Sequence, residues 1–196
     1  MSDTLILNKD GNPLSMMPLS VITWQTAIRL LTLDKVFVLK DHDDWVVNSP
    51  SISLNVPSVV MTSEYIKWNR QVKYNRTNVL LRDNFVCQLQ STHRCKQNHG
   101  KGHRPNELTI DHVVPRSHGG KTNWKNVTTS CKECNFRKGN DHRVIPKNTP
   151  HRPSYYELVA KRRKFPVKIR DEYWKTYIDW PEELIQLIPH KNTTTE

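Results

Sequence analysis

Four cysteines constrain this chain more than any other feature. Cys131 and Cys134 stand two residues apart and Cys87 and Cys95 seven apart. A C-x-x-C turn lets two thiolates converge on one tetrahedral ion, and a second pair completes the site. Met1 to Asn8 lacks a basic stretch followed by an apolar one, so the expected compartment is the reducing cytoplasm. There, paired cysteines point to metal rather than to disulfides. The expected ion is Zn²⁺, bound by sulfur only and therefore structural, stabilising a short polar segment by on the order of 10 kcal/mol. The wide first pair departs from the usual spacing, so His93, His99 and His103 compete with Cys95 as the remaining ligand. Unpaired thiols or a redox C-x-x-C are the other readings, and the redox one wants a βαβ setting that this segment lacks.

Charge concentrates in the same region. The 196 residues carry a net +11, yet residues 1–63 sum to −2 and residues 82–143 to +7. That middle segment also holds six of the nine histidines. A basic segment rich in metal-type residues points to a polyanion, most simply nucleic acid, against the plainer reading of a solvated basic surface. No apolar run approaches the ~20 residues of a membrane helix, and no basic amphipathic helix suggests a membrane surface.

The flanks read as ordinary structure. Leu5-Ile6-Leu7 predicts a strand, Asp10-Gly11 a turn, and Thr23 the cap of a helix through Trp24, Ala27, Ile28 and Leu31. Val36 to Leu39 predicts a strand ended by the acidic run Asp41–Asp44, followed by short strands broken at Pro50 and Pro57. Residues 64–81 read as a helix or an arm, with Arg76 and Arg82 as minor phosphate-binding candidates. Ser154 with Glu157 predicts a capped helix carrying the basic run Lys161–Lys164. Further helices are expected at residues 171–179 and after Pro181, and Asn192–Glu196 reads as a disordered tail. The expected domains are an N-terminal α+β accessory region (1–75), a core (76–148) and a C-terminal helical extension and tail (149–196).

Between the cysteine pairs, Leu108 to Ile110 predicts a strand closed by Asp111-His112, leading through Pro115-Arg116 to the Gly119-Gly120 turn. Phosphodiester hydrolysis needs a base for water and a cation to offset charge on the phosphate. An imidazole, with an ordinary pKa of ~6.5, is a suitable base. A carboxylate and a carboxamide oxygen suit a hard ion such as Mg²⁺ or Mn²⁺. His112 fits the first role, and Asp111 with Asn135 the second. The four sulfurs would fix Asp111 relative to Asn135.

The whole constellation resembles the HNH endonuclease family: Arg82-Asp83, Cys87, Asp111-His112, Pro115-Arg116, Gly119-Gly120, Asn126-Val127, Cys131-x-x-Cys134-Asn135 and Lys138-Gly139. The opening Leu7-Asn8-x-x-Gly11-x-Pro13-Leu14 and the stretch through Ser49-Pro50 and Pro57 resemble the N-terminal region of some bacterial and phage members. The resemblance implies an α+β chain with a ββα-metal core and a structural zinc knuckle, flanked by an α+β unit and C-terminal helices. It implies His112 as general base, Asp111 and Asn135 as ligands of the catalytic divalent ion, and Asn126 as the residue steadying the loop that presents His112. It implies Cys87, Cys95, Cys131 and Cys134 as zinc ligands. Two departures from the family pattern stand out: Gln90 occupies the place of a second knuckle cysteine, and Asn135 replaces a histidine, a common variant.

The expected function is therefore cleavage or nicking of double-stranded DNA, leaving 5′-phosphate and 3′-hydroxyl ends, inside a bacterial or phage-infected cell. Arg116, Lys121, Lys132, Arg137 and Lys138 are the expected phosphate contacts. Homing, packaging and restriction roles stay open, as does monomer or homodimer. A non-catalytic zinc-ribbon DNA-binding protein is the alternative, and a toxin-type nuclease acting on RNA or on any DNA is a third reading.

Overall fold

The structure, a computed structural model, describes residues 4–15, 17–67, 71–90 and 94–188. His93 and the tail at 192–196 lie outside the described residues. The chain forms two compact units, Met1–Asn69 with Pro166–Glu196, and Arg70–Phe165. No helix among the described residues is long and apolar enough to cross a membrane.

The first unit is built on a four-stranded sheet in the order β2-β1-β4-β3, comprising β1 (Thr4–Leu7), β2 (Val21–Ile22), β3 (Val36–Asn48) and β4 (Ser53–Thr62). Every residue of β1 is buried because both sheet faces are covered. Leu5 and Leu7 point to one side, packing with Val59, Ile169, Trp174 and Ile178. Ile6 points to the other, with Val36 and Val60, and Leu30 and Leu31 of α1 (Trp24–Thr32) pack against that cluster. Thr23 caps α1 by accepting from the Thr26 N–H.

Three expectations change in this unit. Strand β3 continues through the acidic run to Asn48, because register shifts between Val38 and Val46 bulge the hairpin there. Pro57 does not end β4. It pairs with Asp41 inside the irregular stretch, where a missing N–H costs no regular ladder bond. The helices expected after residue 170 are short 3₁₀ segments, Glu172–Tyr177 and Glu182–Leu184, rather than α-helices. They lie in the connection between β7 (Val167–Ile169) and β8 (Ile185–Leu187), which pair in parallel.

The second unit holds the antiparallel hairpin of β5 (Leu108–His112) and β6 (Val127–Cys131), followed directly by α3 (Lys132–Lys138). This is a β-β-α sequence. Helices α2 (Arg76–Arg82) and α4 (Tyr155–Arg162) belong to the same unit. Ser154 caps α4 by accepting from the Glu157 N–H at 3.1 Å, as the capping-box pattern predicts.

Arg82 is a correction. Expected as a minor phosphate contact, it is buried and locked inside the unit. Its Nε and Nη2 donate to the two oxygens of Asp83 at 2.8 and 2.9 Å. Its remaining donors reach the carbonyls of Trp124, Val127 and His151 at 2.8–3.1 Å. Asp83 in turn accepts from the Thr129 N–H of β6 at 2.8 Å. Five donors in a rigid fork can satisfy several carbonyls at once, so the guanidinium ties α2 to the hairpin. Arg76 is also used internally, donating to the carbonyl of Leu108 at 2.6 Å.

Candidate active site

The four cysteines come together. Their sulfur atoms all lie within 4.8 Å of one another, and all four residues are buried. A tetrahedral zinc with Zn–S of about 2.3 Å needs sulfurs just under ~4 Å apart, so small shifts fit the ion. The α-helix α3 starts at the site, with Cys131 as its cap accepting from the Cys134 N–H at 3.3 Å. Burial raises the Cys87 thiol pKa, but backbone N–H groups of Gln90, Cys131 and Leu89 outweigh it and the net shift is downward. Gln90 thus supplies a backbone donor in the turn where a second cysteine was expected, at a left-handed φ of 36°. Burial pushes Cys131 up to about 11, with the neighbouring thiols adding to the rise. Four crowded thiols in an apolar shell of Leu80, Leu89 and Leu108 are a donor set that a cation would stabilise.

Cys95, not a histidine, completes the cluster. His103 stands behind it, with Nε2 3.5 Å from the Cys95 sulfur and Nδ1 3.7 Å from Glu107 Oε2. His99 is exposed on the 3₁₀ turn Lys96–His99.

One end of the hairpin carries the Asp-His pair. Strand alternation turns Thr109 and Asp111 to one face and Leu108, Ile110 and His112 to the other. Asp111 is buried, and its Oδ2 has no hydrogen bond. The ammonium of Lys138 lies 3.0 Å from that oxygen, but directs its hydrogen bond to the His112 carbonyl at 2.7 Å. Lys138 is therefore a second correction. Expected on the phosphate-facing surface, its side chain is 1% exposed, because the last turn of α3 lies against β5. A buried carboxylate oxygen without a hydrogen bond, and with a cation drawn beside it, fits a divalent-ion ligand.

His112 is half-buried, and its Nε2 lies 2.7 Å from Thr122 Oγ1. Thr122 was not singled out in the sequence. The signal available there was only its place in the loop between the Gly119-Gly120 turn and Asn126.

Asn126 spans that loop. Its Oδ1 accepts from the Val114 N–H at 2.8 Å, and its Nδ2 donates to the carbonyls of Val114 and Lys121 at 3.0 Å each. Gly120 makes this possible. A Cβ there would stand 1.8 Å from the Val114 oxygen and 2.9 Å from Asn126 Nδ2.

Asn135 sits on α3 one turn before Lys138. Its side chain lines an open hollow together with Thr109, two residues before Asp111 on the same strand face. Among the expected phosphate contacts, Arg116, Lys121, Lys132 and Arg137 are exposed, and Arg137 is 3.4 Å from Glu133.

Comparison with known families gives two matches. Residues 4–70 match the HNH endonuclease-associated N-terminal domain, and residues 94–144 match an HNH endonuclease domain. No curated protein matches the chain. With its hairpin-helix unit, four-cysteine cluster and two matched domains, the chain belongs to the HNH endonuclease family.

Proposed function

We propose that this protein is a metal-dependent endonuclease that hydrolyses phosphodiester bonds in double-stranded DNA. The observation that carries the reading is the Asp111-His112 pair. A buried carboxylate oxygen whose close partner is the Lys138 ammonium, 3.0 Å away, is followed in the chain by an imidazole whose Nε2 lies 2.7 Å from a hydroxyl.

In this reading Thr122 Oγ1 accepts from Nε2–H of His112. The Nδ1 lone pair is then free to take a proton from water. Asn126 holds the Val114–Lys121 loop, and with it Thr122, in place. Asp111 and Asn135 would hold Mg²⁺ or Mn²⁺, which when bound supplies Lewis-acid stabilisation of charge on the phosphate and leaving oxygen. Cys87, Cys95, Cys131 and Cys134 would hold a structural Zn²⁺. Arg116, Lys121, Lys132 and Arg137 contact backbone phosphates without reading sequence. The setting is the cytoplasm of a bacterial or phage-infected cell, with the protein acting as a monomer or homodimer.

The test is cleavage of supercoiled plasmid in Mg²⁺, Mn²⁺ or EDTA, by wild-type protein and by His112→Ala. Metal-dependent nicked or linear product from wild type only is the expected result. Binding without any product in either metal would mean a zinc-ribbon DNA binder. Mapping cut positions on a genome then separates a homing enzyme, a restriction enzyme and a packaging nuclease.

A further inference from the structure

Phe136 is the most exposed large hydrophobic side chain among the described residues, at 88%. It follows Asn135 on α3, and with it lines an open hollow of about 700 Å³. An aromatic ring held in water at the edge of a site gains nothing for the fold. Leu108 and Gly139 also line the hollow, and its remaining residues are polar or charged. Asn106 and Asn140 also line it, and among the described residues neither carboxamide has a hydrogen-bond partner. Lys132 brings an ammonium with no ion pair among the described residues, and Arg76 adds a second positive charge, anchored on the Leu108 carbonyl.

A flat aromatic face, free amide donors and acceptors, and cations together match one chemical class, a nucleotide. The ring stacks a base of any identity, carboxamides pair with base edges, and cations meet the flanking phosphates. Trp124, the aromatic nearest the Asn126 loop in sequence, is unavailable for stacking. It is buried, with Tyr74 edge-on at 5.3 Å and the Arg82 guanidinium over its ring. We infer that the hollow beside α3 is a nucleotide subsite, in which a substrate base leaves the helical stack and rests on Phe136 next to the cleavage centre. This inference rests on the nuclease reading, and it adds a specificity element to that reading. The net positive lining favours a nucleic acid over an apolar protein partner.

The test uses full-length, zinc-loaded His112→Ala protein in Mg²⁺, so that DNA stays uncut. Binding is measured to a short duplex carrying one unpaired 2-aminopurine, and to the same duplex fully paired. The expected result is tighter binding of the unpaired form, with a change in 2-aminopurine emission. Adding Phe136→Ala should weaken that complex roughly 5- to 100-fold and remove the emission change. Phe136→Trp should restore both. Since the ring is exposed, neither substitution disturbs packing. If Phe136→Ala binds both duplexes as the parent does, the subsite is wrong while the nuclease reading stands. The subsite is equally wrong if Phe136→Ala changes only self-association in sedimentation. If the parent binds no DNA at all, the nuclease reading fails and the subsite with it.

Discussion

Lys138 Nζ stands 3.0 Å from Asp111 Oδ2 and donates to the His112 carbonyl at 2.7 Å, so one buried ammonium grips both residues of the Asp-His pair. Removing one partner of a buried ion pair leaves the other uncompensated, at a cost of about 3–5 kcal/mol. Lys138→Met keeps the side-chain length and deletes the charge. Urea denaturation should register a loss of that order, and millimolar Mn²⁺ should narrow the gap to wild type by supplying a replacement cation at Asp111. A variant as stable as wild type would mean that Asp111 needs no counter-charge.

Thr122→Val removes the oxygen that faces His112 Nε2 and keeps the shape. Cleavage should fall by about 10- to 100-fold through loss of imidazole orientation, with little change in melting temperature. Since Thr122 touches no proposed metal ligand, the apparent affinity for Mn²⁺ should not move. Steady-state cleavage across a Mn²⁺ series measures both quantities.

Arg82→Met breaks the fork onto Asp83 and leaves that carboxylate buried, still accepting from Thr129 N–H. Chemical denaturation should show a loss of about 3–5 kcal/mol. Weaker DNA binding with unchanged stability would restore Arg82 as a phosphate contact.

Cys95→Ser should lower bound zinc, measured by inductively coupled plasma spectrometry, and should destabilise the Arg70–Phe165 unit. His103→Ala should retain the metal, because His103 stands behind Cys95 rather than among the four sulfurs. A strong chelator should reproduce the Cys95→Ser melting profile in wild type.

Glu107 is held at about 2 by the hydrogen bond from Lys96, by the Arg104 N–H and by nearby positive charge. Its folded pKa lies below the ordinary 4.5. Its contribution is therefore complete above about pH 4.5 and is lost as pH falls toward 2. Glu107→Gln should be less stable than wild type at neutral pH, and the difference should shrink through that window. Parallel stability curves across it would show that the Lys96–Glu107 pair is only solvated.

Residue identity alone determined the chemistry available here. Sulfur in two pairs, Asp111 beside His112, and Asn135 after Cys134 set the proposed ligand types, and Thr23 and Ser154 announced their helices through their hydroxyls. These are local properties, legible because a thiolate, an imidazole or a capping oxygen carries its chemistry wherever the chain places it. Tertiary structure alone decided the fates of Lys138, Arg82 and Phe136, which invert the usual rule by burying cations and exposing an aromatic ring. Burial depends on partners far away in sequence: the Trp124, Val127 and His151 carbonyls for Arg82, and strand β5 for Lys138. The same holds for β3 running through its acidic stretch and for the parallel pairing of β7 with β8, where ladder partners from other segments outweigh local propensity.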